Sequence, residues 1–196
     1  SWEKKENPVK TGLYLAYANA MGGNRRDIPA YLAPFLDTLT PETDAAQVRM
    51  ALESLRNGAD ALESPDVVFS FTEKLGKAYR QDPLLVDLLE KSAENMRYRR
   101  NEPAAAKLYR RMLERNPDRR SWLDAFELEL KLNGSDKADR LLDFLQAHAT
   151  SVVVRAAVEG MAAQRKGKAE DAIAGYEKSL AADPEQPRLR QFLFDN

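Results

Sequence analysis

One four-position pattern, returning at a nearly fixed interval, constrains this chain more than any other feature. Ala105, Tyr109, Met112 and Pro117 are spaced by 4, 3 and 5 residues. The same offsets return at Ala138, Leu142, Leu145 and Thr150, at Ala172, Tyr176, Ser179 and Pro184, and more loosely at Phe71, Leu75, Ala78 and Pro83. The closing residues Pro83, Pro117, Thr150 and Pro184 lie 34, 33 and 34 residues apart. Self-similarity over such an interval marks stacked supersecondary units, none of which buries its apolar face alone. Steps of 4 and 3 keep the first three positions on one helical face. A small residue there lets a second helix approach, a Leu or aromatic one turn later fills the groove between them, and Pro stops the helix before the next unit.

Apolar residues recur at helical spacing along almost the whole chain, and strict alternation over a strand's length is scarce, so the fold is expected to be all-α. Punctuation predicts eleven helices over residues 8–21, 28–39, 44–57, 66–81, 84–99, 102–115, 119–132, 135–148, 151–166, 169–181 and 187 to the end. Asp27, Asn101, Ser135 and Ser151 are the expected N-caps, and Gly23, Gly58, Gly134 and Gly167 are expected to end helices or turn the chain with positive φ. Pro103 falls in a first helical turn, where its missing N–H costs nothing. From Pro41 to Pro83 is 42 residues, an excess of 8 over the 34-residue interval. That excess is placed in a loop over 57–66, where Gly58, Ser64 and Pro65 cluster.

Composition narrows the function classes. Lys and Arg number 30 against 31 Asp and Glu, a net charge of −1, so no bulk field steers the chain to nucleic acid or anionic membrane. Without cysteine there is no disulfide framework, thiolate zinc site, iron–sulfur cluster or Cys nucleophile. Apolar runs such as Val152 to Val154 fall far short of the roughly 20 residues a spanning helix needs. His148 is the single histidine and is expected to sit against a helix C-terminus rather than in a catalytic site. No His-Glu-x-x-His pair, phosphate-binding glycine loop or nucleophile elbow is present. Glu90 with Glu94, and Glu127 with Glu129, suit a solvated helix face, since paired carboxylates catalyse only when their surroundings push their proton affinities apart. The chain is therefore expected to be no enzyme, with no cofactor, no metal and no catalytic residue. From Arg97 to Arg120, nine Lys and Arg face three Asp and Glu. Such a run is usually a solvated face, though Arg forks also suit acidic peptides or phosphates.

The second-helix pattern, together with Trp122 early in its helix, Gly160 at a close approach and Gly167 in the turn before Ala172, resembles the tetratricopeptide repeat family, whose repeat is 34 residues long. The resemblance is clearest over 84–184. Thr150 departs from the pattern, which has Pro there, and the first hairpin matches only in outline. It implies a right-handed superhelical solenoid of about five antiparallel hairpins plus one terminal helix, with divergent repeats over 1–83 and regular ones over 84–196 in a single solenoid. It further implies a non-catalytic scaffold that holds a peptide or protein segment in a concave groove lined by first helices. Groove positions carried over from the family are Asp87, Glu90, Glu94, Arg97 and Tyr98, then Arg120, Glu127 and Lys131, then Met161, Gln164 and Arg165. A chaperone-type carboxylate clamp is disfavoured, because Glu90 and Glu94, or Leu123 and Glu127, stand where that clamp has Lys and Asn.

Two other readings come from the same resemblance. Ser121 to Phe144, with Trp122, Leu128, Glu129 and Leu141, is similar to a half-a-tetratricopeptide repeat, and the basic cluster would then touch an RNA backbone. The partner expected here is nevertheless a protein or peptide, with nucleic acid disfavoured. The chain is also similar to periplasmic tetratricopeptide modules of outer-membrane export machines, which favours the periplasm over the cytoplasm and a tether to a larger protein. Ser1 and Trp2, without an initiator Met, and the apolar Leu189, Phe192 and Leu193 near Asn196 are expected to belong to a longer natural chain.

Overall fold

The computed structural model describes residues 7–40, 42–59, 62, 65–78 and 83–194. Among them are eleven helices: α1 (Pro8–Gly22), α2 (Ile28–Asp37), α3 (Ala45–Asn57), α4 (Pro65–Ala78), α5 (Pro83–Tyr98), α6 (Glu102–Arg115), α7 (Trp122–Asn133), α8 (Ser135–His148), α9 (Val152–Arg165), α10 (Ala169–Ala182) and α11 (Pro187–Phe194). Every helix expected from periodicity is present. Helix α7 starts three residues late because Asn116 Oδ1 accepts from Asp118 N at 3.1 Å and holds the preceding residues in a turn. Ser1, Trp2, Pro41, Ser64, residues 79–82 and Asn196 lie outside the described residues.

Packing divides the chain into two compact units, residues 1–115 and 116–196. In the first unit α1 pairs with α2 and α5 with α6, while α3 packs on both α1 and α5, so the first helices α1, α3 and α5 are neighbours in that order. Helix α4 packs on α2 and α5. Its Lys74 forms an ion pair with Asp37 at the end of α2. In the second unit α7 pairs with α8, α8 meets α9, α9 pairs with α10, and α10 carries α11. The second unit stacks the hairpins α7–α8 and α9–α10. The first holds the hairpins α1–α2 and α5–α6, with α3 between their first helices and α4 packed on α2 and α5 instead of on α3, an all-α architecture of the kind that the recurring pattern calls for.

The pattern is the core. Ala105, Tyr109, Met112, Ala138, Leu142, Leu145, Ala172, Tyr176, Ser179, Phe71 and Leu75 are all buried. The side chain of Ala78 lies outside the described residues. A fully buried Leu contributes about 1.5–3 kcal/mol through removal from water, which is why these positions fix the register of each hairpin. Helices α9 and α10 approach closely. A Cβ on Gly175 would lie 2.6 Å from the backbone nitrogen of Gly160, and one on Gly160 would lie 2.7 Å from Cδ1 of Tyr176. Gly160 is thus the close approach its sequence position suggested, and Gly175 is its partner.

Thr150 has a structural reason for replacing proline. Asp118 Oδ1 accepts from the backbone N–H groups of Thr150 at 2.7 Å and Ser151 at 2.8 Å, and Oδ2 accepts from the Thr150 hydroxyl at 2.6 Å. Proline could supply neither the N–H nor the hydroxyl. Partial burial raises the Asp118 pKa, but the Thr150 hydroxyl and the two N–H groups outweigh it, and the net shift is downward.

Other local expectations divide. Asn101 does cap, its Oδ1 accepting from Ala104 N at 3.3 Å. Asp27 and Ser151 make no side-chain cap, and Ser135 is the first helical residue behind Gly134. The side chains that cap unpredicted are Asn7, accepting from Val9 N at 3.0 Å, and Asp44, accepting from Ala46 N at 2.9 Å and Gln47 N at 3.0 Å. Gly23, Gly134 and Gly167 have φ of 85°, 82° and 72° as expected. Gly58 instead has φ −99°; packing explains its presence, because a Cβ would lie 2.7 Å from Cδ1 of Ile28. His148 ends α8, with Nδ1 2.8 Å from the Phe144 carbonyl and its ring stacked on Phe144 at 4.5 Å.

Candidate binding surface

Helix α5 buries Leu85, Leu88, Leu89, Ser92, Ala93 and Met96 on one side. Helical geometry then leaves Asp87, Glu90, Lys91, Glu94 and Tyr98 in a row along the other. Asp87 Oδ2 is 3.7 Å from Nε of Arg56 on α3, an ion pair longer than a hydrogen bond. Glu90 is half-buried, while Glu94 and Arg97 are exposed. Tyr98 is 89% exposed at the helix end. Glu94 and Tyr98 line an open cavity of about 500 Å³ with Arg25, Arg56, Lys91 and Asn95. Asn95 is held in place, donating to the Ala59 carbonyl at 3.2 Å and accepting from Arg99 Nε at 3.3 Å.

Candidate positions in the second unit meet the chain itself. Arg120 forms an ion pair with Asp183 in the α10–α11 connection and donates to the Glu185 carbonyl at 3.4 Å. Glu127 shares the guanidinium of Arg188 on α11 with Asp124, whose Oδ1 is 2.7 Å from Nη1. Burial pulls the Arg188 pKa down, but Glu127 and Asp124 outweigh it and raise it above the ordinary value. Lys131 is exposed in the last turn of α7.

On α9, Met161 is 5% exposed, its sulfur 3.7 Å from the Tyr176 hydroxyl, so it packs against that hydroxyl instead of facing solvent. The same hydroxyl donates to Gln164 Oε1 at 2.5 Å, and burial pushes the Tyr176 pKa up to about 12. Arg165 sets two nitrogens on the carboxylate of Asp139, the Nη2–Oδ2 distance being 3.3 Å, with Phe126 5.9 Å below its guanidinium. The bond to Asp139 raises its pKa, burial opposes this, and the Asp139 charge adds to the rise.

Much of the basic run is committed locally. Lys107 Nζ lies 4.2 Å and the Arg111 guanidinium 4.7 Å from the Phe69 ring centre, and Arg111 also reaches Glu73 at 2.8 Å. These are cation–π and ion-pair contacts between α6 and α4. Among the described residues no group of three or more His, Asp or Glu side chains is placed to hold a metal ion. No described helix is long and apolar enough to cross a membrane.

Of the carried-over positions Glu94 and Tyr98 line this cavity, whereas Lys91 beside them and Arg25 and Arg56 opposite were not among those positions. Lys91 was legible, one turn from Asp87 and three residues before Glu94 on the same face. Arg25 and Arg56 come from the α1–α2 turn and the end of α3, where the repeat pattern is weakest. Asp124 likewise stands three residues before Glu127.

No protein-family model matches the sequence, and no curated protein does. Among solved structures, the chain is similar to pilF of Pseudomonas aeruginosa, a structure concerned with that protein's functional characterization, at 14% identity and a TM-score of 0.44 over 99% of this chain and 100% of that one.

Proposed function

We propose that this chain is a non-catalytic interaction scaffold that holds a peptide or protein segment against its first helices, with the face of α5 as the binding surface. The observation that supports the reading is the α5 cavity: about 500 Å³, open to solvent, and edged by a tyrosine that is 89% exposed. A volume in that range accepts several side chains of an extended segment. Tyrosine is also a common anchor at interfaces, because it brings a large rigid surface at small entropic cost. The hairpins give this surface a rigid base, since α5 is fixed on both sides by α3 and α6.

Panning the intact chain against a random peptide library tests the proposal. Saturable binders are expected, and Tyr98→Ala is expected to weaken them about tenfold or more, the loss of one interface anchor. Failure to recover any saturable binder, or binders indifferent to Tyr98→Ala, would remove the α5 face as the binding surface.

A further inference from the structure

We propose that the α5 cavity selects an acidic segment, one whose Asp or Glu carboxylates reach Lys91 and Arg56 while a neighbouring side chain packs on Tyr98. The inference rests on the scaffold reading above and adds the chemistry of the partner. Three cations, Arg25, Arg56 and Lys91, line the cavity against one carboxylate, Glu94, although the chain as a whole is nearly neutral. A cleft with one excess sign of charge between low-dielectric walls concentrates ligands of the other sign.

Lys91 makes no ion pair or hydrogen bond among the described residues. It stands mid-way along α5, away from the helix end where a backbone dipole would account for a cation. Arg56 does lie in the last turn of α3, where that dipole favours it. Its Nε, however, is buried without a hydrogen bond, and the nearest carboxylate, Asp87, stays at 3.7 Å. Buried donors of this kind are rarely left unsatisfied. A carboxylate entering the cavity would face the Lys91 ammonium together with the part of the Arg56 side chain, 35% exposed, that lines the same cavity.

Size and charge separate the possible occupants. A cavity of about 500 Å³ is far larger than a single small anion needs, which fits a segment of chain. Glu94 on the same wall opposes a dianion more strongly than a carboxylate, which favours Asp and Glu over a phosphorylated side chain. The exposed Tyr98 ring at the rim supplies the apolar contact that an ion alone would not use.

Fluorescence anisotropy with the intact chain tests this. The probes are a labelled peptide carrying glutamates on both sides of a phenylalanine, the same peptide with every Glu replaced by Gln, its Lys counterpart, and a phosphoserine counterpart. The glutamate peptide is expected to bind at least about tenfold more tightly than the glutamine one, with a preference that shrinks as salt is raised. Lys91→Glu is expected to erase that preference without moving the unfolding midpoint, because Lys91 is an exposed helix residue. Equal binding of the glutamate and glutamine peptides, an unchanged preference in Lys91→Glu, or tighter binding of the phosphoserine peptide would each overturn the inference. If the glutamine or lysine peptide binds best and depends on Tyr98, the scaffold reading stands and the acidic preference falls. If none of the four binds, both fall.

Discussion

Helices α5 and α7 carry similar rows of charged residues away from their buried sides, yet the two rows have opposite fates. On α5, Glu94, Lys91 and Tyr98 border an open cavity. On α7, Asp124 and Glu127 are taken by Arg188, and Arg120, just before the helix, is taken by Asp183, so the chain itself covers that side. The cover is ionic at α7 and apolar elsewhere: Leu189 is buried, and Phe192 stacks on Tyr176 with ring centres 6.0 Å apart. Amphipathic periodicity says which residues face outward, but whether an outward face is open depends on long side chains arriving from distant elements.

The largest expected effect attacks the packing that keeps the second unit closed on itself. Gly175→Ala places a methyl 2.6 Å from the Gly160 backbone nitrogen and 2.9 Å from the Ala156 carbonyl oxygen, and no rotamer change relieves a clash with backbone. Forcing α9 and α10 apart should cost about 3 kcal/mol, at the upper end of overpacking effects. Urea unfolding measures this, and hydrogen exchange should quicken first in α9 and α10. A loss under about 0.5 kcal/mol, the size of an ordinary surface change, would show that the two helices do not approach as described.

Next in size is Asp118, which joins the α7 and α9 ends of the second unit. Its folded pKa is lowered, so its contribution is fully present above the unfolded carboxylate value of about 3.9 and is lost as pH falls through the folded value. Asp118→Asn should destabilise by about 1–2 kcal/mol near neutrality, toward the lower part of the range of about 1.5–3 kcal/mol for hydrogen bonds to a charged group because solvent screens this carboxylate. It should also flatten the acid limb of a stability-against-pH curve. An unchanged acid limb would mean that the three bonds to Thr150 and Ser151 do not discriminate between the protonation states.

These cases also show how much was legible. The pattern of Ala105, Tyr109 and Met112 revealed the hairpins, because a buried helix face must repeat at helical spacing. Most expected boundaries fell within a residue or two for the same reason, the start of α7 being three residues off. Thr150 could be seen to break the pattern, but its partner Asp118 lies 32 residues away and nothing in local spacing joins them. The caps at Asn7 and Asp44 were missed, while Ser151 looked like a cap although its work is done by Asp118. For the α5 cavity, one wall could be read from the row on α5. The other wall, Arg25 and Arg56, required the packing of α1, α3 and α5 in that order. Met161 has the spacing of a groove residue, but a neighbouring Tyr176 and the short α9–α10 distance draw it into the core.

The smaller effects set the two rows directly against each other. Arg188→Ala removes a half-exposed guanidinium shared by two carboxylates, and exposed ion pairs contribute up to about 1 kcal/mol. The loss should therefore be about 1 kcal/mol, diminish at high salt, and appear as faster hydrogen exchange in α11. Insensitivity to both salt and exchange would mean that Tyr176 and Leu189 hold α11 unaided.

Tyr98→Ala, on the open row, should change stability least, by under about 0.5 kcal/mol. The ring is 89% exposed, so folding removes almost none of its apolar surface from water, and replacing Tyr with Ala near a helix end costs little in propensity. A larger loss by urea unfolding would mean that the ring packs against the protein in solution, and the distinction between the open and the covered row would fail at its most exposed residue. A near-zero change, alongside the measurable loss for Arg188→Ala, would leave Tyr98 as a residue whose contacts lie outside its own fold.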